Sequence, residues 1–119
     1  MRTLLLALCF TSTQVFAGDP WDTTDKVLGA AALTTWIIDW GQTRDIAKRP
    51  NEFRELNVFL GEHPSVSKVD NYFVAVGIGG YLFANWLSSE NRKTFLSVFT
   101  TIELINVGRN HGLGINIAF

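Results

Sequence analysis

The chain has 119 residues, which favours a single domain, and its 47% hydrophobic content is ordinary for a folded protein. The net charge of −1 excludes the strongly basic surface of a typical nucleic-acid-binding protein. Charged side chains are concentrated in residues 44–70 and 90–93, so that three long segments carry few charges. The three weakly charged segments, more than the overall composition, therefore indicate which class of protein this chain belongs to.

The first 17 residues have the pattern of a secretory signal peptide. Arg2 provides a positive charge, residues 4–10 are apolar, and a short polar segment ends at Ala17. We predict cleavage after Ala17, with an uncleaved anchor as the alternative. The single cysteine, Cys9, lies inside this segment, so the remaining domain, residues 18–119, is predicted to contain no disulfide.

Three helices are predicted in this domain, over residues 23–48, 67–87 and 91–107. Asp22 with Asp25, and Ser67 with Asp70, have the spacing of N-capping pairs before the first two helices. Glycines 108, 112 and 114 are expected to end the third. Apolar residues recur at helical spacing in the charged connector, residues 51–66, which predicts a short amphipathic helix there.

The fold class that this pattern favours is all-α, a three-helix transmembrane bundle. Small residues four apart on the second helix, Ala75 with Gly79 and Gly80 with Ala84, are typical of helices that approach closely in lipid. The fully apolar cores span only about 12 to 16 residues, whereas a membrane span needs about 20. An exported soluble helical protein is therefore the alternative.

The distribution of basic residues predicts an orientation in the bacterial inner membrane. A cleaved signal places the new N-terminus in the periplasm, so that residues 41–69 and the last residues of the chain face the cytoplasm. Six Lys and Arg residues then lie on the cytoplasmic side and three on the periplasmic side, which agrees with the positive-inside rule.

Polar side chains form stripes on the first and third helices and recur in the connector. Spacings of three and four residues put those of each helix along one face, and the topology brings all of them to the cytoplasmic end. The predicted cluster consists of Asp39, Gln42, Thr43, Glu55, Asn57, Glu103, Asn106 and Arg109.

Two interpretations of this cluster stay open. In the first, Arg109 pairs with Asp39 or Glu103, and the amides complete a hydrogen-bonded network that fixes helix register. In the second, the cluster binds an ion, a lipid headgroup or a small polar ligand, since carboxylates within membranes are often functional. His63 and His111 are weak metal candidates without a metal-ligand spacing, and no cofactor motif is present, so neither a metal nor a cofactor is expected.

One segment resembles a group of small uncharacterised helical membrane proteins of bacteria and their phages. The resemblance rests on Asp39-Trp40-Gly41-Gln42-Thr43, followed by Glu55-Leu56-Asn57 and then Leu60-Gly61, and it covers about residues 35–65. Val58 stands where that group often has proline. The resemblance implies a shared fold and polar site in the bacterial or phage envelope and does not imply a reaction.

The sequence favours a non-enzymatic envelope protein that serves as an accessory or partner-binding subunit. Its expected partners are the lipid bilayer and either further copies of itself or another membrane protein, and no nucleic acid. The alternative is a small membrane enzyme, or a protein that binds an ion or a lipid headgroup, using Asp39, Glu55 and Glu103.

Overall fold

The computed structural model describes residues 18–119, which form three α-helices and no strand. Helix α1 spans Thr23–Lys48, α2 spans Val66–Trp86 and α3 spans Ser89–Gly112. The all-α class is therefore confirmed for this part of the chain, while the predicted signal peptide lies outside the described residues. Among residues 18–119, no helix combines the length and the mean hydropathy of a membrane span.

The helix starts follow from side chains that accept hydrogen bonds from free backbone N–H groups. Asp22 and Asp25 form the predicted capping box of α1, each side chain accepting from the backbone of the other. The prediction for α2 is wrong by two residues, because Ser65 rather than Ser67 is the N-cap and accepts from the backbone N–H of Lys68.

Helix α3 continues past the glycine that was expected to end it. Gly108 lies inside the helix, which ends only at Gly112, and Gly114 then turns the chain with a φ of +82°. A glycine inside a helix costs about 1 kcal/mol. The buried Asn110, which donates hydrogen bonds to two α1 side chains, offsets this cost by holding the last turn against α1.

The connector contains no helix, so the predicted amphipathic helix is wrong. Side chains bond the local backbone instead: Glu55 Oε1 accepts from the N–H groups of Leu56 and Asn57, and Asn57 Oδ1 accepts from that of Phe59. Such bonds stabilise turns at the expense of a helix. Gly61, with a φ of +80°, ends the turn in a conformation that favours glycine.

The helices form a bundle in which α1 packs most extensively against α3, less against α2, and α2 and α3 touch least. Trp36 packs with Leu60, Val69 and Phe73 in one buried cluster. The second cluster consists of Ala32, Ala84 and Leu96. The core thus runs along the inner face of α1, and most large apolar side chains of the outer faces are left exposed.

Not all of the small residues of α2 pack closely against another part of the bundle. A Cβ at Gly77 would lie 3.1 Å from Trp36 Nε1, so this glycine does allow a close approach. At Gly79 and Gly80, by contrast, an added Cβ would have no described neighbour within 4 Å. Within residues 18–119, the predicted close approach at Gly79 and Gly80 is therefore not made.

Candidate binding cavity

The predicted polar residues surround a cavity of about 310 Å³ at the connector end of the bundle. It lies between the second half of α1, the start of α2, the end of α3 and the turns of the connector. The structure brings together around it all of the predicted cluster except Gln42, namely Asp39, Thr43, Glu55, Asn57, Glu103, Asn106 and Arg109. This volume is at the lower end of the range of small-ligand pockets.

Two carboxyl groups meet in this cavity. Asp39 of α1 and Glu103 of α3 both line it, and their side chains are close enough to influence each other's charge. Glu103 is 6% exposed, and no N–H or hydroxyl group of residues 18–119 donates to its Oε2 atom. Thr100 Oγ1, one helical turn earlier, is also buried without a partner there. Buried polar atoms usually have partners, so the unsatisfied oxygen of the cavity-lining Glu103 marks a position for a ligand or water.

Gln42 lies behind the cavity and has a structural role. Its Nε2 donates to the backbone oxygen of Val107 over 3.2 Å, and its Oε1 accepts from Asn110 Nδ2 over 3.3 Å. Asn110 also donates to Asp39 Oδ1 over 3.4 Å. These bonds fix α1 against α3 and thereby set the distance between the two carboxyl groups.

The connector residues of the cluster, Glu55 and Asn57, shape the cavity, because their side chains are already hydrogen-bonded within the protein. Glu55 Oε1 accepts two backbone N–H bonds, as described above. Asn57 is bonded through both ends of its amide, because Nδ2 also donates to Tyr72 Oη over 2.9 Å. The Glu-x-Asn part of the motif that carries the resemblance is thus explained here by turn formation and by docking of the turn on α2.

Aromatic side chains form one wall of the same cavity. Trp36, Tyr72 and Phe73 all line it, and the ring centroids of Trp36 and Phe73 are 4.4 Å apart. The indole N–H of Trp36 donates to the backbone oxygen of Phe73, so the orientation of this ring is fixed. The cavity therefore combines a carboxyl pair with the faces or edges of rigid rings. Sequence analysis missed these rings because their apolar character suggested only packing.

The predicted pairing of Arg109 is wrong. Arg109 is exposed at the rim of the cavity, and among the described residues it makes no ion pair with Asp39 or Glu103. The arginine that joins two helices at this end is Arg44, which pairs with Asp70. An arginine in the last turn of a helix can reach solvent, which hydrates its charge at no cost in folding.

The weak metal candidates, His63 and His111, are not part of the cavity lining. Both side chains are exposed. Within residues 18–119, no three His, Cys, Asp or Glu side chains are grouped closely enough to hold a metal ion.

A second polar cluster, which sequence analysis missed, lies at the opposite end of the bundle. The fully buried Arg92 donates to Asp25 Oδ2 over 3.0 Å, to the backbone oxygens of Ala84 and Leu87 at the end of α2, and to that of Asp19 before α1. Lys93 bridges Asp22 and Asp25, and its hydrogen bond lowers the pKa of Asp22. Every strong donor of Arg92 is used within the protein, so this cluster is structural.

No family model matches this chain, and the comparisons with curated proteins and with solved structures found no significant similarity. Any proposal of function must therefore be based on the chain's own geometry.

Proposed function

We propose that this chain is a small membrane-embedded helical protein of the bacterial or phage envelope, which acts by binding and does not catalyse a reaction. The observation that carries the proposal is the position of exposed charge. Every exposed charged side chain on the three helices lies in the first or last four residues of its helix: Lys26, Lys48, Lys68, Glu90 and Arg109.

The surface between these charged ends is largely apolar, although it includes the exposed polar residues Thr34, Ser97, Thr101 and Asn106. Large hydrophobic side chains exposed between 38% and 65% cover the middle of each helix and form a belt around the bundle. This apolar belt consists of Val27, Leu33, Ile37, Val74, Val76, Ile78, Tyr81, Leu82, Phe83, Val98, Ile102, Leu104 and Ile105. Continuous exposed apolar surface on this scale needs a cover, and acyl chains provide one without a specific partner.

The dimensions of the belt suit a bilayer. At 1.5 Å per residue, Lys26 and Lys48 are about 33 Å apart along α1, close to the 30 Å of a hydrocarbon core. Hydropathy averaged along a helix counts buried and exposed side chains alike. In α1 the polar Thr35, Gln42 and Asp45 lower the average although all are buried and would not face lipid.

The cavity gives the embedded protein a binding function. It opens at the end that carries the connector, which the distribution of basic residues predicts to be cytoplasmic. An enzymatic role that uses Glu55 has less support, because Glu55 Oε1 accepts two backbone N–H bonds that hold this side chain in the connector turn. Further copies of the chain or another membrane protein are the proposed partners at the uncovered glycines of α2.

Membrane embedding is tested by fractionating cells that express the full chain and washing the membranes at alkaline pH. We expect the protein to stay in the membrane pellet and to be released by detergent. Ile78→Lys places a charge in the belt and should reduce the membrane-bound yield at least fivefold, since a central lysine costs about 2.5–3.5 kcal/mol on insertion. Val58→Lys is the matched control, because Val58 is 85% exposed in the connector. Recovery of wild-type protein as a compact monomer in the supernatant would overturn the proposal.

A further inference from the structure

We propose that the cavity between Asp39 and Glu103 binds a small organic ammonium ion. The inference goes beyond membrane embedding, because it names a ligand class for a site that is defined in the bundle itself. It is based on the unpartnered buried oxygen of Glu103, on the carboxyl pair and on the aromatic wall.

The charge of the lining favours a cation. Three carboxyl groups line the cavity, those of Asp39, Glu55 and Glu103, against one cationic side chain, Arg109. Since Arg109 is exposed at the rim, it does not neutralise the interior. A cation with N–H or polarised C–H groups placed beside Glu103 Oε2 would satisfy an atom that no described donor reaches.

The number of available ligands favours a single positive charge over a divalent metal. Calcium takes six to eight oxygen ligands, and zinc sites usually have three or four protein ligands. Glu55 is partly occupied because its Oε1 accepts two backbone N–H bonds, which leaves Asp39 and Glu103 as the lining carboxyl groups without a bond to local backbone. Two carboxyl groups cannot complete the coordination of either metal, whereas an ammonium ion does not need a full set of ligands.

The aromatic wall favours an organic cation over an inorganic one. Ammonium groups that carry alkyl substituents bind against the faces of tryptophan and tyrosine rings within about 6 Å. Trp36 and Tyr72, with centroids 6.2 Å apart, provide such rings in the lining of the same cavity. A volume of about 310 Å³ admits an ion with a few carbon atoms and excludes bulky amines.

Calorimetric titration of the full chain in detergent tests the proposal. Tetramethylammonium chloride is the probe, and neopentyl alcohol, a neutral molecule of similar shape, and sodium chloride at equal ionic strength are the controls. We expect tetramethylammonium to bind at least tenfold more tightly than either. Asp39→Asn and Glu103→Gln should each weaken its binding at least tenfold, whereas Glu62→Gln, in the exposed part of the connector, should leave it unchanged.

Absence of binding to wild-type protein, equal binding of neopentyl alcohol, or stronger binding of sodium would each overturn the proposal. Circular dichroism of each variant shows whether it folds, and if Glu103→Gln does not, Asp39→Asn carries the test. The measurement is made in detergent and does not depend on a bilayer. A chain that binds tetramethylammonium but fails to stay in washed membranes would overturn the proposed embedding alone.

Discussion

Arg92 is predicted to be the most important charged side chain for stability. It is fully buried, and its guanidinium donates to Asp25 and to the backbone oxygens of Asp19, Ala84 and Leu87. Arg92→Met keeps much of the side-chain volume but leaves these acceptors without their donor. Removal of one partner from a buried ion pair costs about 3–5 kcal/mol.

Part of this cost is reduced in the present site because Lys93 remains bound to Asp25 Oδ1 at 3.0 Å. We therefore expect Arg92→Met to lower the free energy of unfolding by about 3 kcal/mol, the lower end of the range. The matched control is Arg54→Met, since Arg54 and Glu62 form a pair 3.8 Å apart with side chains 67% and 68% exposed. Such surface pairs contribute about 0–1 kcal/mol.

The assay is chemical unfolding in detergent, followed by far-ultraviolet circular dichroism. A double-mutant cycle with Asp25→Asn separates the ion pair from the backbone bonds of Arg92. If the free energy of unfolding of Arg92→Met were within 1 kcal/mol of the wild-type value, the guanidinium would not be joining the three helices. This account of the end opposite the cavity would then be refuted.

Two further predictions concern glycine packing and the connector. Gly80→Ala should raise the free energy of unfolding by about 0.5–1 kcal/mol, because the site is open and alanine favours the helix. Gly29→Ala should instead lower the free energy of unfolding, because the new Cβ would lie 2.8 Å from the ring of Trp21. Thermal unfolding of both variants shows whether the two substitutions have opposite effects. Equal shifts would contradict this packing. Asn57→Ala removes bonds to Phe59 and Tyr72, so it should cost about 1–2 kcal/mol and speed proteolysis within the connector. Unchanged proteolysis would show that this side chain does not order the turn.

The sequence was sufficient for features that depend on local signals. The capping box at Asp22 and Asp25 places the start of α1, and Pro50, two residues after the last helical residue Lys48, is a residue that cannot continue a helix. The polar stripes on α1 and α3 share helical faces, and residues of both stripes line one cavity. Periodicity and capping operate over a few residues, which is why they could be derived without the fold.

Features that depend on tertiary contacts could not be derived in this way. Apolar spacing in the connector indicated a helix, but Glu55 and Asn57 bond to their own backbone and hold turns. Gly108 was expected to break α3, but the contact of Asn110 with α1 extends the helix. The burial of Arg92 could not be derived either, because its acceptors lie before α1, within α1 and at the end of α2.

The carboxylate that each arginine pairs with could likewise not be predicted from residue spacing. Arg44 and Arg109 both belong to the cavity end, and residue spacing does not show which of them pairs with a carboxylate. In the folded chain Arg44 reaches Asp70 of α2, while Arg109 lies at the rim. This difference leaves the carboxyl groups of Asp39 and Glu103 without an arginine partner and so defines the candidate site.

The most direct test of the account is to measure whether the apolar belt contacts lipid. Nitroxide labels on single cysteines at Ile78 and Leu82 of α2, and at Val58 of the connector, are introduced into a Cys9→Ser background and reconstituted in liposomes. We predict high collision rates with oxygen and low rates with a water-soluble nickel chelate at Ile78 and Leu82, and the reverse at Val58. Nickel collision rates at Ile78 and Leu82 as high as that at Val58 would contradict the claim that lipid covers the belt.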